Sequence, residues 1–424
     1  MISEYFDLRM ISGWKNIFLA ASLFCYTVTQ ADLDALRPLY WLSLVLFFFC
    51  SLIEWLHSKN RKGGILAPYL FWVICVAGIC VASQMWALDP DAVRSSQYMA
   101  NCAYVCLILI GLAMSIRSRV DIFQIMDIYI ISAIAISVFL VFAQLLSGEW
   151  ARLGDAFGIV PNGPAMQMGF ALMFCFVRMG TTEGYERRYA VFAIWLVISI
   201  VATDSRKIVL ASILAVVLFA CYRNRRFFDV RILILAAPIV IACLLAVIFI
   251  PFLSETIGYR FVGVFTGLLG DGSVDMSGVE RDYYRSTALM LFSRNPILGV
   301  GFEGFAAYLE SIGYWHVAYS HCNYTELLSN IGIVGLSVYY SMYLAILLGC
   351  LKEKKLSSFV RMSVIFILIV RLIVEYAQVV FIDVDNYVVL LVLYGLAFVP
   401  QNNVLPELSQ KRGVAQGEVM RRAV

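Results

Sequence analysis

Apolar runs of nearly bilayer-spanning length recur throughout this chain of 424 residues, and they restrict its fold more than any other feature. A helix that crosses the hydrocarbon core needs about 20 predominantly apolar residues. Runs of this kind occupy residues 16–31, 38–56, 66–88, 95–116, 122–146, 163–180, 187–203, 207–222, 230–251, 323–350, 359–381 and 384–400. A composition of 62% hydrophobic and 14% charged residues, with a mean hydropathy of +0.83, excludes an ordinary soluble domain. The expected fold is all-α, a polytopic membrane protein with about twelve transmembrane helices. The first run has a mixed-charge lead and no small-residue cleavage site, so it is read as a retained span.

Basic residues are unevenly distributed between these runs. One set of alternate loops, including Lys59, Arg61, Lys62, Arg187, Arg188, Arg225 and Arg226, holds 22 of the 32 Lys and Arg residues. The opposite set carries the acidic pairs Asp32/Asp34, Asp89/Asp91, Glu149/Asp155 and Asp383/Asp385. By the positive-inside rule both termini are expected in the cytoplasm and residues 252–322 on the outer side. The net charge of +3 records this sidedness, and no nucleic-acid partner is read from it. Ten of the eleven cysteines fall in or beside apolar runs, where Cys acts as a small hydrophobe; Cys322 is the exception, and no disulfide framework is expected. The chain divides into helices over 1–251, an outward loop with short helices over 252–322, further helices over 323–400, and a cytoplasmic tail over 401–424.

The stretch from Arg281 to Gly335 is the one long polar interruption. It holds His316 and His321, Arg281, Arg285 and Arg294, two Gly-rich turns and many tyrosines. A helix is predicted from Glu280 to Arg294, with Tyr284, Ala288, Leu291 and Phe292 on one face and Arg281 and Arg285, four apart, on a common face. Asn295-Pro296 ends it. Gly299, Gly301 and Gly304 permit a tight turn, followed by a short amphipathic piece from Glu303 to Ile312. The string GVGFEG follows no strand, so it is not read as a dinucleotide motif. Ser320 or Asn323 is expected to cap the next helix, and Asn323 with Glu326 has capping-box spacing. His321 would then lie at a positively polarised helix end, which favours a bound anion. Gly332 and Gly335 would let another helix approach closely.

Other charged positions carry two readings each. In the turn Thr203–Lys207, Asp204 pairs with Arg206, or Arg206 points into an outward cavity to meet an anion. Arg371 and Glu375, one turn apart inside an apolar run with Gln378 above them, are either functional or a mutual structural lock. Glu54 is read as snorkelling to the interface, and Trp150 in the loop 147–163 as an interfacial anchor. The apolar pattern shows no internal duplication, which argues against a transporter of inverted repeats.

A histidine at a helix start with several arginines, and no His, Cys and carboxylate cluster of metal-ligand type, suits transfer from an anionic activated donor. Arginines would neutralise a pyrophosphate leaving group, and a neutral histidine would act as general base toward a hydroxyl. The bland alternative is a capping or hydrogen-bonded histidine.

Three pieces of the chain resemble the superfamily of O-antigen ligases and O-antigen and capsular polysaccharide polymerases, integral-membrane glycosyltransferases. They are Ser205-Arg206 before the eighth run, Arg281 with the helix ending at Asn295-Pro296 and Gly299-Val300-Gly301, and His321 followed by Gly332 and Gly335. Family members commonly have Asn, Ser or Gln directly after the histidine; here it is Cys322, with Asn323 one place later. The resemblance implies a GT-C-like membrane fold with one large outward loop between the ninth and tenth helices, in a bacterial cytoplasmic membrane. It implies that Arg206 and Arg281 bind the pyrophosphate of an undecaprenyl-pyrophosphate-linked oligosaccharide and that His321 activates the acceptor, with no metal or other cofactor. Lys207, Arg260, Arg285, Tyr324 and Glu326 are further candidates, each also explicable as an anchor or cap. The expected activity is polymerisation onto another lipid-linked repeat unit, with a chain-length regulator as a further partner; the alternative is ligation to a lipid A-core or other acceptor. In a third reading, a polysaccharide or lipid exporter, Arg371 and Glu375 would line the path.

Overall fold

The computed structural model describes residues 2–29, 36–58, 65–89, 93–147, 153, 159, 161–181, 186–223, 276–353 and 356–399. The ninth apolar run, Trp150, Arg260 and residues 401–424 lie outside the described residues. Among the described residues there is no strand. The α-helices are α1 (Ile2–Thr29), α2 (Arg37–His57), α3 (Ala67–Ser83), α4 (Val93–Ser115), α5 (Arg119–Ser147), α6 (Asn162–Thr181), α7 (Glu186–Ala202), α8 (Arg206–Arg223), α9 (Met276–Arg294), α10 (Gly304–Ser311), α11 (Asn323–Lys352), α12 (Ser358–Glu375) and α13 (Val384–Phe398). Every expected apolar run within the described residues is met by a helix. Four of these, α2, α3 with a 3₁₀ turn that extends it to Trp86, α5 and α11, are long and apolar enough to cross a membrane. The architecture is that of a helical membrane protein.

Beyond Asp385 and Asn386 in its first turn, helix α13 is apolar all round, and it is buried from Val384 to Ala397, as befits a helix enclosed by others. Helices α4, α5, α11 and α12 pack against it. Buried polar side chains pin this bundle to backbone oxygens. The Tyr69 hydroxyl donates to the Tyr387 carbonyl at 2.6 Å, the Trp72 indole to Val338 at 2.7 Å, and the Tyr394 hydroxyl to Ile65 at 3.0 Å. Burial of each such group without a partner would be costly. Glu54 does not simply snorkel: it accepts from Lys15 Nζ at 2.5 Å, joining α2 to α1.

The polar stretch builds a second, smaller core. In α9, Tyr284, Ala288 and Leu291 of the predicted face are buried, packing with Val300, Phe305, Leu309 and Ala318, while Phe292 is only half-buried. Asn295-Pro296 ends the helix, and Gly299 and Gly301 take positive φ (68° and 93°). Gly304 instead begins α10, and Glu303 occupies the left-handed position before it.

The turn after α9 threads into a break in α11. At Gly332 (φ 66°, ψ −168°) α11 leaves helical geometry. In an unbroken helix the Ser329 and Asn330 carbonyls would accept from the amides of Ile333 and Val334. Here they accept from Val300 N at 2.8 Å and Gly301 N at 2.9 Å, while the Ile333 and Val334 amides donate to Pro296 O at 3.0 Å and Ile297 O at 3.3 Å. All four backbone groups are exchanged between helix and loop, and none is lost. The pair Gly332/Gly335 therefore does not serve the approach of another helix. Gly332 admits a loop backbone, and a Cβ on Gly335 would strike Ile331 of its own helix.

Gly332→Ala would set a Cβ against the Ile297 carbonyl and 2.7 Å from Gly299 N, at a φ that side chains rarely adopt. It is expected to destabilise the protein by about 1–3 kcal/mol or more. Gly78→Ala, where an added Cβ meets nothing within 4 Å, is expected to be neutral. Thermal unfolding of the detergent-solubilised variants checks this, and equal midpoints for both would contradict the interlock.

Candidate active site

His321 lies immediately before α11 in the left-handed region, with φ 57°. Residues other than glycine reach this region at a cost of about 1–3 kcal/mol, and they persist there only where their surroundings impose it. The neighbours on both sides are fastened. Ser320 N donates to Glu326 Oε2 at 2.6 Å, and Ser320 Oγ donates to the Cys322 carbonyl at 3.0 Å. The same carbonyl accepts from Glu326 N at 3.0 Å and from Thr325 Oγ1 at 3.2 Å. The expected caps are thus rearranged. The N-cap is buried Cys322, which has no side-chain capping bond, and Glu326 reaches back past it to Ser320. Asn323 is the first helical residue and faces another task, described below.

The half-buried imidazole of His321 is flanked by the ring of Tyr319 (centroids 4.4 Å apart) and stacked on Tyr284 (5.8 Å, 28°). Burial, then the charges of Arg281 and Lys207, push its pKa down to about 4. The imidazole is consequently neutral near pH 7, the form a general base requires. Arg281 is exposed on α9, and Lys207 is half-buried in the first turn of α8. Lys207, next to Arg206 in the chain, is one of the cations whose charge acts on His321. Arg206 is half-buried at the start of α8, beyond a turn in which Asp204 is left-handed (φ 53°) and Ser205 Oγ donates to Asn162 Oδ1 at 2.9 Å.

On the other flank of His321, Glu280 receives the Tyr284 hydroxyl at 2.7 Å and His316 Nδ1 at 2.9 Å. These two bonds hold its carboxyl below the usual glutamate range. The Tyr284 hydroxyl also lies 2.7 Å from the His316 carbonyl, so α9 and the segment before His321 are tied together.

The connection between α12 and α13 gathers the helices that carry these residues. The apolar run expected over 359–381 stops being helical at Glu375, because side chains from elsewhere take up its backbone groups. Arg285 donates to the Tyr376 carbonyl at 3.1 Å and lies over the Tyr376 ring at 4.5 Å; Lys207 donates to Ala377 O at 3.2 Å. Tyr324 donates to Leu372 O at 2.8 Å. Cations and hydroxyls there satisfy carbonyls that a helix C-terminus leaves open. Asn323 Oδ1 accepts from Val380 N and Phe381 N at 3.0 and 3.1 Å. The starts of α8 and α11 and the middle of α9 are thereby fixed to one short segment.

Asn323 also donates to Glu375 at 3.2 Å. Glu375 is paired with Arg371 (3.1 Å), accepts from Tyr340 at 2.6 Å and from Tyr343, and both charged side chains are only 1% exposed. Arg371 Nε donates to Tyr343 at 2.8 Å, and its guanidinium lies 5.1 Å from the Phe170 ring centre. The two charges meet each other, as the lock reading has it, and the locked pair reaches the first turn of α11 through Asn323.

The structure therefore brings His321, Arg281 and Lys207 within electrostatic reach, engages Arg285, Tyr324 and Glu326 in holding the frame, and buries Arg371 and Glu375 beneath it. The sequence assigns no site role to Glu280, Tyr340 or Tyr343, and it offers Asn323 as a helix cap where the structure bonds it to Glu375 and to the segment after α12. Asn323 carries a signal in the sequence, its place one residue past the expected polar neighbour of the histidine. Among the described residues no group of three or more His, Cys, Asp or Glu side chains is arranged to hold a metal ion.

These features define a polytopic membrane protein with a His/Arg/Lys site at a helix start. Residues 191–340, from α7 through the break in α11, match the family model described as O-antigen ligase. The match supports kinship with the O-antigen ligases and polymerases over that stretch, and with it a glycosyltransferase type of activity in polysaccharide assembly. It favours neither polymerase nor ligase. No protein of curated function matches the chain.

Glu375→Ala leaves the Arg371 guanidinium buried without its counter-charge, and it is expected to cost about 3–5 kcal/mol. Arg371→Met combined with Glu375→Leu should recover most of that loss, since removing both charges is often neutral. Yield and unfolding midpoint of the single and double variants check this; a double variant no better than the single would rule out a simple lock.

Proposed function

We propose that this protein transfers a glycan from a polyprenyl diphosphate to a hydroxyl acceptor, with His321 as general base and Arg281, Lys207 and Arg206 holding the diphosphate. The observation that carries this reading is the neutral imidazole fixed at the start of α11 within the field of two cations. In the reaction the acceptor hydroxyl oxygen forms a bond to the anomeric carbon and gives its proton to His321. The bond from that carbon to the diphosphate breaks, and its electron pair leaves with the diphosphate. The departing charge is stabilised by the cationic side chains, an electrostatic role worth most in a partly desolvated site. The site faces the outer side of the membrane, as the charge asymmetry of the loops indicates.

The acceptor in this reading is a second lipid-linked repeat unit, which makes the protein a polymerase. The second reading is a ligase that hands the glycan to a different acceptor, and the family match over residues 191–340 is compatible with either. Purified protein reconstituted in lipid, given a lipid-linked repeat unit and nothing else, distinguishes them. A product ladder that is lost in His321→Ala identifies a polymerase; transfer only on addition of a separate lipid or protein acceptor identifies a ligase. Arg281→Ala and Arg206→Ala should each abolish product while the protein still inserts, and full activity in both would sink the diphosphate assignment.

The electrostatics also set the pH dependence. In the resting site Arg281 and Lys207 oppose protonation of His321. A bound diphosphate would offset those charges and raise the basicity of the imidazole just when a base is needed. The acid limb of kcat/KM for the donor, which reports the free enzyme, is expected at about pH 4. The acid limb of kcat should lie higher. Lys207→Ala removes one opposing cation and should move the kcat/KM limb upward. A limb at about 6.5, the ordinary histidine value, in both wild type and Lys207→Ala would contradict this coupling.

A further inference from the structure

A run of aromatic rings leads from the surface of the polar stretch to His321. Tyr283 stacks on Tyr314 with centroids 4.9 Å apart and planes at 11°. Tyr314 meets Tyr284 edge-on at 5.7 Å, and Tyr284 stacks on His321. Trp315 extends the run outward, 6.1 Å from Tyr314, and is 78% exposed. Tyr283 is 39% exposed. Neither ring is needed for packing, because the buried face of α9 is already made by Tyr284, Ala288 and Leu291. Large aromatic side chains left in water beside a reactive group are most useful for recognition.

We infer that this aromatic run is a glycan-binding track, on which sugar rings of the acceptor lie with their C–H faces against Trp315, Tyr314 and Tyr283, leading a hydroxyl to His321. The inference rests on the glycosyl-transfer reading above and adds to it the surface that recognises the acceptor. A pyranose has an apolar face of C–H bonds that suits the negative face of an aromatic ring, and a rim of hydroxyls that needs polar partners. Both kinds of partner are present. Glu280 is a carboxylate beside the rings, and His316, bonded to it through Nδ1, is half exposed and keeps Nε2 for a hydroxyl. The competing occupant is the bilayer surface, where Trp and Tyr also gather. Against it, the rings are interleaved with hydrogen-bonding groups, Asp282 (80% exposed, 3.6 Å from Arg285), exposed Glu310 and the Glu280–His316 pair, which suit sugar hydroxyls better than acyl chains.

The test uses the full-length protein in lipid nanodiscs. The probe is the oligosaccharide released by mild acid from the lipid-linked glycan pool of the source cells, and binding is followed by saturation-transfer NMR. Wild type is expected to saturate sugar ring protons. Trp315→Ala and Tyr283→Ala should each weaken binding, and raise KM for the acceptor, by about tenfold, with KM for the donor unchanged. Trp315→Phe should retain most of the binding, and His321→Ala should bind glycan while losing transfer. Absence of binding by wild type, unchanged binding in Trp315→Ala, or quenching of Trp315 fluorescence by brominated lipid would each overturn the track. Ring-dependent binding without transfer by wild type would refute the chemistry and leave the track standing. Transfer with unaltered acceptor KM in both alanine variants would do the reverse.

Discussion

The exchange of backbone hydrogen bonds at Gly332 is the constraint on which the rest of the site depends. A helix interrupted in an apolar setting must find new partners for the groups it releases, since each one left unpaired is costly. The turn from Pro296 to Gly301 supplies two acceptors and two donors at matching positions. This fixes the end of α9 to the middle of α11 without any side chain, and so sets the distance between the helix that carries Arg281 and the one that His321 precedes. Three glycines serve one junction: Gly332 opens the helix, while Gly299 and Gly301 turn the loop into it at positive φ. A side chain at any of the three would meet backbone, which cannot rotate out of the way.

Around this junction the charged groups fall into two kinds. Those that hold the frame are paired: Arg285 and Lys207 cover carbonyls after α12, Glu326 secures the residue before His321, and Glu375 with Arg371 anchors Asn323. Arg281 is different, being exposed and without an ion-pair partner among the described residues, yet its charge reaches the imidazole. Lys207 does both, since its contact with Ala377 leaves its charge acting on His321. An arrangement of this sort sets two cations against the single carboxylate of Glu280 beside a neutral base, a balance that an anionic ligand would shift.

Much of the fold was legible because the signals were local. Helix positions followed from apolar runs, the end of α9 from Asn295-Pro296, and its buried face from the spacing of Tyr284, Ala288 and Leu291. The site was legible only at its ends, through His321 and the basic residues. What escaped was non-local. Nothing near Gly332 in sequence indicates that a loop some thirty residues earlier would enter the helix there, and a small-residue spacing reads equally well as helix packing. Nor does the run 359–381 announce a stop at Glu375, because the groups that end that helix come from α8, α9 and α11. Glu326 was expected to serve a capping box and serves Ser320 instead, since Asn323 is drawn away to the segment after α12.

The left-handed backbone at His321 has a further bearing on how such a site persists. Glycine would occupy that φ without strain and asparagine with less, so the residue best suited to fold the segment is not the one best suited to the chemistry. Selection for thermal stability alone would therefore drift away from histidine here, and the surrounding clamp of Ser320, Thr325 and Glu326 is what lets the chain keep it. A library of variants sorted by stability and another sorted by activity should part company at this one position more sharply than at its helical neighbours.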